Sequence, residues 1–260
     1  MNDASLDIAA RIAVVTKNEP GTFAIAVKDP ATGFAWSIGS RPMRSASLIK
    51  LFIMVEIFEQ IKSRRLKPTD LLIFTENDRV AGAGLLQELP SGTSHTVMEL
   101  IELMITESDN IATNILIDRI GAAAINTRIK SLGCPDTVLM RRMMDFAAAE
   151  AGRENLTSVM DIINLLTQLY HTACVDSDAD FAMCDIMGRQ TDRCKIPLLL
   201  PPSVTCQHKT GELPGAEHDA GIIRTPRGSY ILAIMSDDLP DPERGIQVAA
   251  RISRTIYDWY

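Results

Sequence analysis

Three short motifs whose residue types can support acyl transfer occur in one order along the chain. Each motif alone arises often by chance, but together they combine a serine nucleophile with groups that handle protons and bind an anion. The motifs are Ser47-Leu48-Ile49-Lys50, Ser108-Asp109-Asn110 and Lys209-Thr210-Gly211. The set predicts an enzyme in which a serine hydroxyl attacks a carbonyl carbon.

The first motif places a nucleophile and a candidate base on one helical face. Ser47 stands where a polar stretch gives way to an apolar helical segment, so its hydroxyl would lie at the positive end of the helix dipole. Lys50 follows on the same side of the helix, within reach of the serine oxygen. A lysine acts as a base when burial or a neighbouring cation lowers its pKa, and the apolar surroundings and Lys209 would supply both effects. The alternative, a capping serine with a surface lysine, fits less well before a wholly apolar helix.

The second motif interrupts an apolar helical pattern at a predicted helix–helix connection. Alone, these three residue types are more typical of a helix cap. Within the set, Ser108 is predicted to relay a proton to a leaving nitrogen. Asn110 is predicted to orient Lys50 and to hydrogen-bond a substrate amide.

The third motif ends an extended segment and is suited to bind an anion. Lys209 and Thr210 can bind a substrate carboxylate, and Gly211 lets another backbone approach closely. An extended substrate would pair with this strand in the antiparallel direction, and the backbone N–H groups of Ser47 and Glu212 would form an oxyanion hole. By itself the triplet is more typical of an ordinary strand end.

Apolar periodicity and turn signals predict the elements that carry these motifs. The predicted elements are a helix over 5–16, strands at 22–28 and 34–39, helices from 47 and over 97–106, 111–120, 157–170 and 180–189, strands at 204–209, 220–224 and 230–236, and a helix over 240–260.

This order predicts an α/β (α+β) fold with two lobes and the active site in the cleft between them. Strands from both chain ends would join in one antiparallel sheet covered by the terminal helices, with a helical block inserted. The predicted sheet lobe comprises 1–45 and 197–260, and the all-helical lobe comprises 46–196.

The composition narrows the range of partners and compartments. A formal net charge of −7 argues against nucleic acid, and no apolar run is long enough to span a bilayer. The first residues lack the features of a signal peptide, so the protein is periplasmic or secreted if a leader was removed, and cytoplasmic if the chain is complete. The five cysteines lack metal-binding spacing and suit reduced thiols, with a single disulfide as the alternative. We expect a monomer that acts on a small molecule.

Together with three further segments, the motifs resemble the class A β-lactamases and penicillin-binding serine hydrolases. The further segments are Gly-Ala-Gly-Leu-Leu at 82–86, Gly-Arg-Glu-Asn-Leu-Thr-Ser at 152–158 and Asp-Ala-Gly-Ile-Ile at 219–223. The resemblance covers essentially the whole chain. It implies the two-lobed fold of that family, acylation of Ser47, and no metal or organic cofactor.

The chain departs from the family where class A enzymes carry Arg-x-Glu-x-x-Leu-Asn, whose glutamate activates the hydrolytic water. Residues 141–150 lack a glutamate at that step from an arginine. Asp145 is the best candidate for the base and Glu150 is the alternative, so deacylation is the step in question.

The family also uses an arginine beside the Lys-Thr-Gly strand to bind a substrate carboxylate. Arg224 or Arg227 would serve here, although Arg227 better suits an exposed turn. Glu212 adds an acidic group at the cleft edge, where it would disfavour strongly anionic substrates or pair with a nearby arginine.

Three functions follow from these motifs. The first is a class A-type β-lactamase that hydrolyses the β-lactam amide through a Ser47 acyl-enzyme. The second is a peptidase or esterase on the same scaffold, for which β-lactams are slow substrates. The third is a β-lactam-binding sensor that stays acylated.

Overall fold

Strands from both ends of the chain form one five-stranded antiparallel sheet in the computed structural model, which describes residues 3–260. In chain order the elements are α1 (Asp3–Thr16), β1 (Thr22–Lys28), β2 (Ala35–Ile38), β3 (Met43–Arg44), α2 (Ile49–Lys62), β4 (Leu71–Ile73), β5 (Ser94–Thr96), α3 (Val97–Thr106), α4 (Asn110–Ile120), α5 (Ala122–Ser131), α6 (Phe146–Glu150), β6 (Leu156–Thr157), α7 (Val159–Tyr170), α8 (Ser177–Gly188), β7 (Thr205–Leu213), β8 (Ala216–Thr225), β9 (Gly228–Asp237) and α9 (Pro242–Trp259). The sheet order is β2-β1-β9-β8-β7. This arrangement confirms the predicted fold class and the pairing of the two chain ends.

Both faces of the sheet are buried, since each packs against its own hydrophobic core. Successive side chains of a strand point to opposite faces, so one strand contributes to both cores. In β1, Ile25 and Val27 belong to the core formed with α1 and α9, whereas Ala24 and Ala26 belong to the core formed with the inserted helices. The small alanine side chains let the helices pack close to this face. The sheet is therefore a rigid platform held from both sides.

The inserted helices pack around α2, which directly follows Ser47. Its side chains from Ile49 to Phe58 are all buried, including the charged residues Lys50 and Glu56. This confirms the prediction of a helix surrounded by its neighbours. The catalytic lysine candidate thus enters the core on a largely buried helix.

Several elements differ from the sequence-based expectations. Helix α5 was not predicted, because only Ile125 and Ile129 anchor it in the core. The 46–196 region also contains the short strand pair β4–β5 and the strand β6, which pairs with β3 just before this region. Strand β7 continues beyond Lys209 to Leu213, since pairing with β8 persists through Leu213 and Ala216. The exact lobe boundaries stay a prediction.

All five cysteines are free thiols. Among residues 3–260, no helix combines the length and hydropathy that crossing a membrane requires.

Candidate active site

Ser47 lies in the single 3-10 turn that leads into α2. The turn spans Ala46–Leu48, and Ala46 adopts a positive φ of 46°. The backbone N–H of Ser45, just before the turn, donates to the carbonyl of Asn155 at 2.8 Å. The predicted position of Ser47 at a helix N-terminus is confirmed, and the residues around it are fixed by a distant segment.

Strand β7 passes directly against this turn. A Cβ atom at Gly211 would lie 3.1 Å from both the Ser47 backbone nitrogen and the Ala46 Cβ. Such a contact is tighter than ordinary packing allows, so glycine permits the close approach predicted from the sequence. The Lys-Thr-Gly motif and the serine therefore face each other across a short gap.

The hydroxyl of Ser108 connects the three motifs. Ser108 Oγ lies 3.0 Å from Ser47 Oγ, 3.1 Å from the Nζ of Lys50 and 3.0 Å from the Nζ of Lys209. Lys50 Nζ also contacts the Ser108 carbonyl at 2.7 Å and Asn110 Oδ1 at 2.9 Å. Lys50 thus reaches Ser47 through Ser108, rather than by the direct contact expected from the sequence.

Both lysines of the site are fully buried, and burial shifts their titration. Burial first, and then the positive charge of Lys209, hold the pKa of Lys50 well below its usual range. Burial lowers the pKa of Lys209 to about 8, although Asp219 opposes this shift. The two effects expected for Lys50, desolvation and a neighbouring cation, are both present.

The Gly-Ala-Gly-Leu-Leu segment fixes the second motif from behind. Gly84 has a φ of 131°, and a Cβ there would fall 2.3 Å from Asp109 Cγ. The buried Asp109 carboxylate accepts from the backbone N–H groups of Leu86 and of Ala112, each at 2.8 Å. Asp109 therefore caps α4 and holds Asn110 in place.

A cavity of about 490 Å³ opens in front of Ser47. Six of the predicted site residues line it: Ser47, Ser108, Asn110, Thr210, Gly211 and Glu212. Lys50 and Lys209 lie behind this surface and contact it through Ser108.

Arg224 is not brought to the cavity. Its guanidinium donates to Gln207 Oε1 at 2.9 Å and stacks over the ring of Tyr170. Arg227 lies in an exposed turn, where it stacks over Tyr257. The sequence does not predict whether either arginine faces the cavity, because the direction of a side chain at a strand end depends on the register of the strand.

The segment 141–155 forms another wall of the cavity and is held by side chains with buried polar contacts. Arg141 Nε pairs with Glu154 Oε1 at 2.7 Å. Asn155 Oδ1 accepts from the backbone N–H groups of Met140 and Arg141. These contacts fix Arg141 in the wall of the cavity.

The position two residues beyond that arginine is Met143. Asn114 Oδ1 accepts from the Met143 N–H at 2.8 Å, and Asn114 Nδ2 donates to the Met143 carbonyl at 3.1 Å. Met143, Met144 and Phe146 line the cavity, so its wall is apolar where the family pattern has a carboxylate.

Asp145 and Glu150 do not line this cavity. Asp145 caps α6, with its carboxylate accepting from the Ala148 N–H at 3.0 Å, and it borders a separate surface pocket. Glu150 is exposed at the end of α6. Met144, directly before Asp145, lines the cavity in front of Ser47 and has a positive φ of 65°. The structure therefore does not support Asp145 or Glu150 as the water-activating base.

Asp145→Asn is accordingly expected to leave the deacylation rate within about twofold of the wild type, because asparagine caps a helix about as well as aspartate. Intact-mass measurement of acyl-enzyme decay after excess β-lactam is removed tests this. Accumulation of a long-lived adduct in this variant alone would return the base to Asp145.

Sequence reasoning did not identify four residues that shape the site: Asn114, Asn155, Asp192 and Lys195. The two asparagines act through backbone groups far along the chain, which no local pattern reveals. Lys195 is fully buried, and its ammonium contacts Asp192 at 3.5 Å, Glu212 at 2.8 Å and Glu217 at 3.0 Å. The sequence shows Asp192 and Lys195 three residues apart, but no pattern in it predicts that these residues lie beside β7.

Comparisons with known proteins agree with this geometry. A family model described as the β-lactamase enzyme family matches residues 7–260. A β-lactamase of Bacteroides uniformis is 29% identical over 177 residues, which are 63% of this chain and 60% of that protein. The chain thus spans less than two thirds of the length of that relative.

Two solved structures align along nearly their whole length. The crystal structure of a β-lactamase from Sphaerobacter thermophilus DSM 20745 has a TM-score of 0.89 and 27% identity, covering 99% of this chain and 97% of that chain. A mutant of PBP-A, in an acyl-enzyme complex with penicillin G, has a TM-score of 0.89 and 28% identity, covering 96% of this chain and 94% of that chain.

Proposed function

Because the chain belongs to the β-lactamase enzyme family, we propose that it is a serine β-lactamase whose Ser47 hydroxyl opens the β-lactam amide and forms an acyl-enzyme. The observation that carries this proposal is the position of Ser108 Oγ, about 3 Å from the Ser47 oxygen and from both lysine amines. The proton relay is within hydrogen-bond reach of both the nucleophile and the base, so the nucleophile can be activated through it.

The hydrogen-bond inventory around Lys50 supports its role as the base. A neutral amine has two N–H donors and one lone pair. The Ser108 carbonyl and Asn110 Oδ1 accept from the two N–H groups at 2.7 and 2.9 Å, which leaves the lone pair for the Ser108 hydroxyl. Ser108 Oγ can in turn accept from the Ser47 O–H.

Acylation then proceeds without an additional reagent. Ser47 Oγ bonds to the carbonyl carbon as its proton passes through Ser108 to Lys50. The carbon–nitrogen bond then breaks, and the proton returns from Lys50 through Ser108 to the leaving nitrogen. Protonated Lys209 stabilises charge at Ser108 as the proton moves. The close approach of Gly211 to the Ser47 N–H supports an oxyanion hole formed by the N–H groups of Ser47 and Glu212.

The acylation rate is expected to fall above about pH 8. Lys209 must keep its proton to stabilise the anion, and burial lowers its pKa to about 8, so the active form is lost as pH rises through that value. Lys50 must be neutral to act as the base, and its burial and the positive charge of Lys209 lower its pKa in that direction. A pH profile of the second-order acylation constant tests this.

Lys209→Arg is the matched variant for that profile, because a guanidinium stays protonated throughout the measured range. In this variant the decrease in the acylation constant above about pH 8 should disappear, even if the constant is lower at every pH. Persistence of this decrease near pH 8 would assign it to another group.

We infer that hydrolysis of the acyl-enzyme is slow, because the 141–155 wall is apolar at Met143, Met144 and Phe146. The same observation favours a second candidate function, a peptidase or esterase on this scaffold. In that case another nucleophile or a non-β-lactam acyl group would allow release from Ser47.

A chromogenic cephalosporin tests both functions when absorbance and intact mass are followed together. We expect a one-to-one adduct that accumulates while slow turnover continues. A stable adduct without turnover would favour the peptidase or sensor functions, and rapid turnover without adduct would contradict slow deacylation. If the protein forms no adduct and shows no turnover, the proposal is overturned.

A further inference from the structure

The turn that carries Ser47 depends on neighbouring strands for its position. The side chain of Ser45, at the start of the turn, makes no capping hydrogen bond, and the residues before it form the two-residue strand β3. On one side β3 pairs with β6, and the bond from the Ser45 N–H to the Asn155 carbonyl continues this pairing toward Ser47. The wall of the helical lobe therefore holds one side of the segment.

The sheet holds the other side of the segment through Arg44, three residues before the nucleophile. The Arg44 carbonyl accepts a hydrogen bond from Nε2 of His218, a residue of β8, at 2.9 Å. The Arg44 guanidinium donates to the Pro214 carbonyl at 3.1 Å and pairs with the carboxylate of Asp237 in β9. Of these three contacts, only the one from His218 reaches the backbone that continues into Ser47.

Both nitrogens of the His218 ring have defined roles. The Ser236 N–H donates to Nδ1 at 3.2 Å, so the ring hydrogen lies on Nε2, which faces the Arg44 carbonyl. The side chain is fully buried, and burial lowers the pKa of His218 to about 4, although the Arg44 carbonyl and Asp237 oppose this shift. The neutral ring thus joins the backbone of β3 to the backbone of β9.

His218 lies directly across from Gly211 in the pairing of β7 with β8. Gly211 is the point where β7 meets the turn, because a Cβ there would lie 3.1 Å from the Ser47 nitrogen and 3.4 Å from the Leu48 nitrogen. One pair of residues therefore contacts the catalytic segment twice, Gly211 at Ser47 and His218 at Arg44. The gap between the Ser47 N–H and β7, on which the proposed oxyanion hole depends, is fixed at this pair.

The His218 ring acts on the reaction only indirectly. It does not line the cavity in front of Ser47. Both of its nitrogens are already engaged, by Arg44 and by Ser236, so neither is free for the proton transfer. Any effect of this residue on acylation must therefore pass through the backbone of Arg44.

We propose that His218 is a positioning residue for acylation, whose Nε2–H bond to the Arg44 carbonyl fixes the Ser47 turn against β7. This inference rests on the proposed acylation of Ser47. Loss of the bond would let the turn shift relative to Gly211 while every reacting group stays in the chain. A misplacement of about 1 Å can cost on the order of a hundredfold in rate, so the loss of one among several contacts should cost about tenfold.

His218→Asn and His218→Gln form a matched pair, because each amide keeps one of the two bonds. The asparagine oxygen can take the position of Nδ1 and accept from Ser236, but the side chain is too short to reach Arg44. The glutamine nitrogen can take the position of Nε2 and donate to Arg44, but the Ser236 N–H loses its acceptor. Each variant loses one buried hydrogen bond, so we expect similar decreases in melting temperature.

Acylation by penicillin G is followed by intact mass in single turnovers at several concentrations. The maximal rate constant reports how well Ser47 is positioned, whereas the amplitude reports the fraction of protein that is correctly folded. His218→Asn should lower the maximal rate constant about tenfold and change the half-saturating concentration by less than about threefold. His218→Gln should keep the maximal rate constant within about threefold of the wild type.

Arg44→Gln provides a second test should both histidine variants fold poorly, since the Arg44 side chain is partly exposed. This change removes the guanidinium contacts to Pro214 and Asp237, which leaves His218 as the remaining contact of Arg44 with the sheet. The maximal rate constant should fall by about threefold. An unchanged constant would mean that the hold of the sheet on β3 does not limit acylation, and would overturn the proposal.

Arg41→Gln is the control for that variant, because it removes an arginine from the same connection between β2 and the turn. Arg41 is exposed, and its guanidinium donates to the Thr22 hydroxyl at 3.0 Å and to the Gly39 carbonyl at 3.4 Å. Its loss should not alter the maximal rate constant.

Slower acylation in the asparagine variant alone would support the positioning role. Equal slowing in both histidine variants, or an asparagine variant that loses amplitude without slowing, would overturn that role and leave Ser47 acylation intact. Absence of any Ser47 adduct in the wild type would overturn the proposed function itself, and with it this inference.

Discussion

Ser47→Ala is expected to abolish covalent labelling by penicillin G and to lower turnover of a chromogenic cephalosporin by a factor on the order of 10⁴ or more. In the proposed reaction the Ser47 oxygen forms the ester bond, while Ser108, Lys50 and Lys209 handle the proton. The fold should persist, because the side chain is only half buried and the 3-10 turn is held by backbone contacts.

The measurement is intact mass after incubation, followed by peptide mapping of any adduct. Ser203→Ala serves as the control, since Ser203 is exposed and does not line the cavity. Labelling that survives in the Ser47 variant would mean that a different residue is the nucleophile.

Met143→Glu is expected to accelerate deacylation by about 100-fold, at the lower end of what a positioned general base contributes. Asn114 fixes the backbone of Met143 through both its N–H and its carbonyl, so a new side chain would start from a defined point in the cavity wall. Methionine and glutamate are both unbranched and similar in length, which limits the packing change. The new carboxylate would have the reach to activate a water molecule beside the ester.

Met143→Gln is the control for this gain, because it matches the shape of glutamate without a basic oxygen. The decay rate of the isolated acyl-enzyme should rise in the glutamate variant alone. Burial raises the pKa of a carboxyl group, so the gain should grow with pH until that group is ionised. Equal decay rates in the two variants would show that the absence of a carboxylate here does not limit hydrolysis.

The two variants address successive steps of one reaction. Loss of labelling in Ser47→Ala identifies the nucleophile, and faster release in Met143→Glu identifies the missing component of hydrolysis. Slow hydrolysis would also be consistent with a natural reaction in which the acyl-enzyme passes its acyl group to a nucleophile other than water.

The sequence by itself determined the order of elements, the shared sheet of the two chain ends and the residues of the three motifs. These properties depend on local patterns: the continuous apolar run of β1, the mostly apolar sequence of α2, and short polar motifs at element ends. Helix α5 is not predicted from the sequence, because its two buried isoleucines give only a weak periodic apolar signal.

Only the tertiary structure decided which of the candidate groups meet. It placed Ser108 between Ser47 and both lysines, turned Asp145 away, and directed Arg224 to Gln207. It also placed Asp192 and Thr210 in the lining of one cavity. These contacts join residues that are far apart in the chain. Their geometry depends on strand register, backbone turns and packing, which residue types and spacing alone do not predict.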